Sequence, residues 1–181
     1  QYILPPVYQR FLERELPVCP LGNGVSIAGF VMFSDVELTI ACATELLKRV
    51  PEHDVLLTAE SKGIPLAYEM SRQSGKRYIL ARKSKKLYMK NAVEVDVRSI
   101  TTNGMQKLYL SGEDMEYLKG KKVLLVDDVI STGESLHALE KLAEKAGGNI
   151  VGRSAVLAEG DAAERKDIIF LAPLPLLQTE E

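Results

Sequence analysis

Apolar positions along this chain repeat with two periods that take turns. Leu38, Ala41, Cys42 and Leu46 fall at helical spacing within residues 36–50, and Pro51 marks where that helix must stop. Residues 54–58, Asp-Val-Leu-Leu-Thr, are a short apolar run of the buried-strand type. A helix over 63–72 and a second strand over 77–81 follow. The same order returns with a strand at 123–126, a helix at 134–146 stopped by Gly147 and Gly148, and a strand at 150–157. Between the two halves Val93, Val95 and Val97 alternate with polar residues up to Ile100, and residues 107–110 form a second strand after Asn103-Gly104, which predicts a hairpin. Near the start, the spacing predicts an amphipathic helix over 7–16 and a β-rich stretch over 25–33 that includes Ile27, Phe30, Val31 and Phe33.

Continuous apolar strands with helices between them predict an α/β fold with a central parallel sheet flanked by helices on both faces. The ribbon of residues 93–110 is expected to project from that sheet. No repeat, low-complexity tract or long linker interrupts the pattern, so residues 1–181 read as a single domain.

Composition narrows the chemistry. At 181 residues and 46% hydrophobic, the chain can bury a core without disulfides or a structural metal. Lys and Arg number 23 against 25 Asp and Glu, a formal net charge of -2, so no global attraction to nucleic acid or membrane is expected and anion binding must be local. Cys19, Cys42, His53 and His137 supply neither a disulfide framework nor zinc-ligand spacing, and read as ordinary packing or surface residues. The uncharged stretch 16–34 is broken by Pro17, Pro20, Gly22, Gly24 and Gly29, which suits turn and strand rather than a membrane span. A cytoplasmic location is the expectation.

One string stands out: Val123-Leu124-Leu125-Val126-Asp127-Asp128-Val129-Ile130-Ser131-Thr132-Gly133-Glu134-Ser135. An apolar strand delivers two adjacent carboxylates, and a hydroxyl-rich turn then opens a helix. Backbone N–H groups and hydroxyls of Ser131, Thr132, Gly133, Glu134 and Ser135, at the positive end of the helix dipole, suit a phosphate dianion. The carboxylates of Asp127 and Asp128 suit sugar hydroxyls or a hydrated Mg²⁺. Singly, these residues could be a strand-ending turn and a helix cap; together and in this context they read as a phosphate-and-ribose site. The string resembles the 5-phosphoribosyl-1-pyrophosphate (PRPP) signature of type I phosphoribosyltransferases, and no Gly-Lys-Ser/Thr follows the turn as a Walker A loop would need.

Two further segments resemble parts of the same family. Glu60-Ser61-Lys62-Gly63 is similar to the pyrophosphate loop of purine phosphoribosyltransferases, with backbone amides for the anion and Gly63 allowing close approach. Residues 82–90 begin Arg82-Lys83, similar to the Arg-Lys pair and flexible loop of adenine and xanthine enzymes, with Lys86 a further pyrophosphate candidate and the ribbon closing as a lid. Taken alone, the first is a turn before a helix and the second a solvated basic face.

The resemblance, over roughly Gly29 to Leu174, implies a type I phosphoribosyltransferase fold with a projecting flexible ribbon and a small hood. It implies transfer of 5-phosphoribosyl from PRPP to a purine, release of pyrophosphate, Mg²⁺ as cofactor and a homodimer. Asp127, Asp128, Arg82 and Lys83 would then serve catalysis, with Asp127 and Asp128 engaging the metal through ribose hydroxyls or water. Phe30, Val129 and Ile130 are candidates for the base.

The hypoxanthine-guanine enzymes of the family place an Asp where Ser131 stands, facing the purine N7, and this disfavours a 6-oxopurine. Met32 and Gly160 replace an Asn and a Lys of the xanthine type, so adenine is favoured and xanthine is the alternative. A PRPP-binding regulator without transferase activity is a third reading.

Overall fold

The computed structural model describes residues 2–4, 12–98 and 105–178. Tyr2–Leu4 (β1) pairs antiparallel with Arg14–Leu16 (β2), and Val18–Gly22 (β3) with Val25–Ala28 (β4). Val36–Arg49 (α1), Val55–Ala59 (β5), Ile64–Ser74 (α2) and Arg77–Ala81 (β6) follow. Val93–Arg98 (β7) and Met105–Leu110 (β8) form the antiparallel ribbon, succeeded by a short helix, Gly112–Leu118 (α3). Lys122–Ile130 (β9), Glu134–Lys145 (α4), Asn149–Glu159 (β10), a 3₁₀ turn at Gly160–Glu164, Ile169–Leu174 (β11) and Leu177–Gln178 (β12) complete the described chain.

The central sheet has five parallel strands in the order β11-β10-β9-β5-β6, flanked by helices, as the apolar runs required. Alternate residues of one strand feed two cores. Val123 and Leu125 of β9 pack with Leu57, Ile79 and the α4 residues Leu139 and Leu142. Leu124 and Val126 pack on the opposite side with Leu56, Leu66 of α2 and Leu46 of α1. Strand β12 joins β4 and β3 in a separate three-stranded sheet, which corresponds to the expected hood.

Chain order reverses between β5 and β9: β6 lies to one side of β5, and β9, β10 and β11 step away on the other. Such a reversal opens a crevice at the C-terminal ends of the strands, where open α/β sheets take ligands. Pairing makes the crevice deeper. β5 is laddered to β9 only from Val55↔Val123 to Leu57↔Leu125, whereas β10 stays laddered to β9 through Ala158↔Ile130.

Several elements differ from the sequence expectation. Arg14–Leu16 is a strand rather than the end of a helix over 7–16, because β1 offers it a backbone partner, and residues 7–11 lie outside the described ones. The stretch 25–33 is strand only over Val25–Ala28. Beyond it Phe30 and Met32 turn inward at 4% and 1% exposure while Val31 and Phe33 face out, an alternation that mimics a strand without a partner ladder. β9 runs on through both aspartates to Ile130, and α3 carries no long apolar stripe that periodicity could find. The ribbon does not hang free: Val95, Val97, Leu108 and Leu110 are buried against the α4 face, and Arg82 and Tyr109 exchange two backbone hydrogen bonds of 2.9 and 2.8 Å. The Asn103-Gly104 turn lies outside the described residues.

Candidate active site

Asp127 and Asp128 stand on β9 where it has parted from β5 and is held on one side only. Asp127 Oδ1 accepts the Asp128 N–H at 2.8 Å. Asp128 is 2% exposed; its Oδ2 accepts no hydrogen bond and faces the Lys62 ammonium at 3.9 Å. Burial, reinforced by the neighbouring charge of Asp128, pushes the Asp127 carboxyl well above the ordinary aspartate range. An acidic pair with one member buried, one partly exposed and one oxygen without a hydrogen-bond donor is costly to leave in place without a ligand, which is why it marks a site.

Behind the pair, Ser131, Thr132, Gly133, Glu134 and Ser135 line a small pocket of about 100 Å³ together with Asp127, Val129 and Ile130. Gly133 takes φ +81°, and no side chain caps the start of α4, so the first helical amides are available to an anion. A Cβ at Gly133 would lie 2.9 Å from Arg165 Nη1. Arg165 grips Asp167 through two hydrogen bonds, 2.9 and 2.7 Å, and so stands fixed beside the turn.

Across the crevice, Glu60, Ser61, Lys62 and Gly63 connect β5 to α2. A Cβ at Gly63 would lie 2.7 Å from Thr58 Oγ1 and 3.4 Å from Asp127 Oδ1, so only glycine lets this loop approach the aspartate pair. The Glu60 carboxylate binds the Arg82 guanidinium and accepts the Lys83 N–H at 2.8 Å. Burial works upward on Glu60, but the Lys83 and Arg82 hydrogen bonds outweigh it and hold the group below the ordinary glutamate range. Arg82 also donates to the Tyr88 hydroxyl, tying the onset of residues 82–90 to its own middle. Lys86 donates to Ser84 Oγ at 2.7 Å, and its charge also favours the ionised Glu60.

The structure thus brings Asp127, Asp128, residues 131–135 and the loop 60–63 to one crevice, and links Arg82 and Lys83 to it through Glu60. Phe30 is not brought there: its ring lies in the core with Leu38 and Leu174. The Ile130 side chain is likewise buried, while Val129 is partly exposed at the pocket.

Three contributors escaped the sequence reading as members of the site. Arg165 sits in a charged run, Glu164-Arg165-Lys166-Asp167, with no motif to single it out. Thr58, whose buried Oγ1 lacks a partner, looked like a strand residue. Glu159, at the end of β10, accepts a hydrogen bond from Ser131 Oγ at 2.9 Å, a juxtaposition of residues 28 apart in sequence that only strand pairing reveals.

A family model described as a phosphoribosyl transferase domain matches residues 33–172. The hypoxanthine/guanine phosphoribosyltransferase of Methanococcus voltae is 34% identical over 147 residues, covering 81% of this chain and 72% of that protein. Its namesake from Methanothermococcus okinawensis is 35% identical over 147 residues, covering 80% and 73%. Among solved structures, the adenine phosphoribosyltransferase of Thermoanaerobacter pseudethanolicus superposes with a TM-score of 0.72 at 19% identity, over 88% of this chain and 95% of that one. The Saccharomyces cerevisiae adenine phosphoribosyltransferase, complexed with adenine, gives 0.67 at 18% identity over 87% and 92%. At such identities the structures speak for the fold, which is that of type I phosphoribosyltransferases. The chain therefore belongs to the phosphoribosyl transferase family.

Proposed function

We propose that the protein transfers the 5-phosphoribosyl group of PRPP to a purine base, forming the nucleoside monophosphate and pyrophosphate. The observation that carries this reading is the convergence of Asp127-Asp128, the turn 131–135 and the loop 60–63 on one crevice at the switch between β5 and β9. Residues 131–135 would hold the 5-phosphate by amides and hydroxyls, with Arg165 adding charge beside them. Asp127 and Asp128 would accept hydrogen bonds from the ribose hydroxyls. The amides of 60–63 with Arg82, Lys83 and Lys86 would neutralise the leaving pyrophosphate, the largest electrostatic demand of a step that builds positive charge on the sugar.

Mg²⁺ suits this donor set. Among the described residues no group of three or more His, Cys, Asp or Glu forms a protein cage. Two carboxylates, one with an orphaned oxygen, match a cation that keeps waters and takes its other ligands from substrate phosphates and hydroxyls. When bound it would supply Lewis-acid charge at the pyrophosphate.

For the base, a 6-oxopurine is the better supported reading. The Methanococcus and Methanothermococcus relatives are named for hypoxanthine and guanine. Two grounds for adenine lose force: Met32 is buried in the core, and the Ser131 hydroxyl meets the Glu159 carboxylate, so this strand end does not lack an acid. Adenine is the second reading, favoured by the apolar Val129 in the pocket wall and the missing side chain at Gly160.

Pyrophosphate release from PRPP and Mg²⁺ with hypoxanthine, guanine, adenine or xanthine tests the proposal. Hypoxanthine or guanine should turn over fastest. Faster adenine would reverse the choice of base, and PRPP binding without release for any base would favour a regulatory sensor.

A further inference from the structure

An arginine that merely stands near a phosphate lends it charge, whereas one aimed at the phosphate also lends a hydrogen bond. Arg165 has the geometry of the second kind. Its backbone is anchored where the 3₁₀ turn Gly160–Glu164 ends, its N–H donating to the Ala162 carbonyl at 3.1 Å. One edge of the guanidinium is committed, since Nε and Nη2 donate to the two Asp167 oxygens at 2.9 and 2.7 Å. That leaves Nη1, and Nη1 is the nitrogen that lies 2.9 Å from the point a Cβ on Gly133 would occupy. Among the described residues it meets no acceptor.

The groups around the turn are donors. No side chain caps the start of α4, so its first amides are bare, and Thr132 and Ser135 line the same small pocket. The carboxylates that could neutralise the spare nitrogen do not. Glu140 takes Arg153 Nε at 2.8 Å, and Glu134 makes no ion pair with Arg165. A charged N–H without an acceptor, set beside uncapped amides, is completed by an anion. Glycine at 133 serves the same arrangement, because a Cβ there would push the clamped guanidinium aside.

We infer that Arg165 Nη1 donates directly to the 5-phosphate and that Asp167 is the positioning residue that aims it, so that this pair, with the turn, selects a sugar bearing a terminal phosphate. This rests on the purine transferase reading above. A guanidinium suits the task because its planar fork serves two anions at once, whereas an ammonium is a point charge that cannot hold Asp167 in fixed geometry and present a second aimed donor. The phosphate is remote from the bonds that form and break and keeps its charge throughout, so the contact strengthens substrate and transition state alike.

Isothermal titration calorimetry with ribose 5-phosphate, and separately with pyrophosphate, tests this. Arg165→Ala should weaken ribose 5-phosphate by about 10- to 100-fold, the usual effect of losing a charge-assisted hydrogen bond, and leave pyrophosphate within twofold. Arg165→Lys keeps the charge and should recover little of the loss. Asp167→Ala separates charge from aim, which pull in opposite directions: removing an anion beside a phosphate would tighten binding if charge alone counted, whereas losing the clamp should weaken it several-fold. In steady state the same losses should appear in KM for PRPP, with kcat at saturation unchanged. Thermal midpoints should stay close to the parent's, since both side chains are partly exposed. Full recovery in Arg165→Lys, tighter ribose 5-phosphate in Asp167→Ala, or an Arg165→Ala protein within twofold of the parent would each overturn the inference while leaving the transferase reading intact. A parent that binds no ribose 5-phosphate and transfers phosphoribosyl to no purine would instead bring down that reading, and the role of Arg165 with it.

Discussion

Gly63 and Asp127 meet across the crevice, with room for a Cβ on Gly63 only 3.4 Å from Asp127 Oδ1 and 2.7 Å from Thr58 Oγ1. The first distance is ordinary contact and the second is a clash, so the obstacle to a larger residue is Thr58 and the casualty is the loop. Gly63→Ala should cost roughly 1–3 kcal/mol of stability, the usual range for overpacking, and lower kcat/KM for PRPP by about 10-fold or more as the loop shifts by a fraction of an ångström. Adding Thr58→Ala removes the clashing hydroxyl and should recover part of the stability. Denaturant titration of both variants measures this; full stability in Gly63→Ala alone would show the contact to be slack.

Asp127 is raised in the folded protein above the 3.8 of an unperturbed aspartate, chiefly by burial. The native state therefore holds more protons than the unfolded chain, and stability falls as pH rises from below that value through the folded one. Asp127→Asn should raise stability at neutral pH by about 1 kcal/mol, within the range of single stabilising changes, and should lose most transferase activity. Thermal melts across pH 3–8 should show the gap between variant and parent widening with pH; a variant less stable than its parent at pH 7 would contradict this.

The Glu60 carboxylate holds Arg82 and the Lys83 amide that are proposed to meet pyrophosphate. Pyrophosphate then competes with an internal anion. Glu60→Gln should tighten product inhibition by pyrophosphate several-fold, and Arg82→Ala should lower kcat by about 100-fold, the loss typical of a charge-stabilising group. Glu60 is held below its ordinary value of 4.5, so its grip is complete above that pH and is lost as pH falls through the lower folded value. Protection of the Lys83 amide, its exchange rate taken relative to that of a free amide at the same pH, should hold at neutral pH and fall only in that acid range.

Asp35 caps α1 by accepting the Leu38 N–H at 3.1 Å and is bonded by Arg14 Nε at 2.6 Å. The Arg14 hydrogen bond, partly opposed by burial and aided by the Leu38 amide, lowers the Asp35 carboxyl below 3.8. The stabilisation is present above that pH and lost as pH falls through the folded value. Asp35→Ala should cost about 1–2 kcal/mol, whereas Asp35→Asn, which keeps the cap, should cost less than half of that. Urea unfolding of the two variants separates cap from ion pair.

What was legible in the sequence was local. The helices at Val36–Arg49 and Glu134–Lys145 and the strand Arg77–Ala81 carry their own periodicity and stops, and the run from Val123 to Ser135 carries its chemistry in consecutive residues. What was not legible depends on partners far along the chain. The strand Arg14–Leu16 exists because Tyr2–Leu4 lies beside it, and the acid near Ser131 appears only when β10 is laid against β9. Phe30 misled for a related reason: an aromatic residue in a β-like stretch reads the same whether its ring faces a ligand or a core.

Because β9 keeps its ladder to β10 after releasing β5, the acidic pair takes its coordinates from one side of the protein. Ser154 fastens that seam from within, its hydroxyl donating to the Leu125 carbonyl at 3.0 Å. A shift of β5 would therefore carry the loop 60–63 with it and leave Asp127 and Asp128 in place, whereas a shift of β10 would drag the acidic pair and the turn 131–135 together, making that strand the reference against which the crevice is aligned.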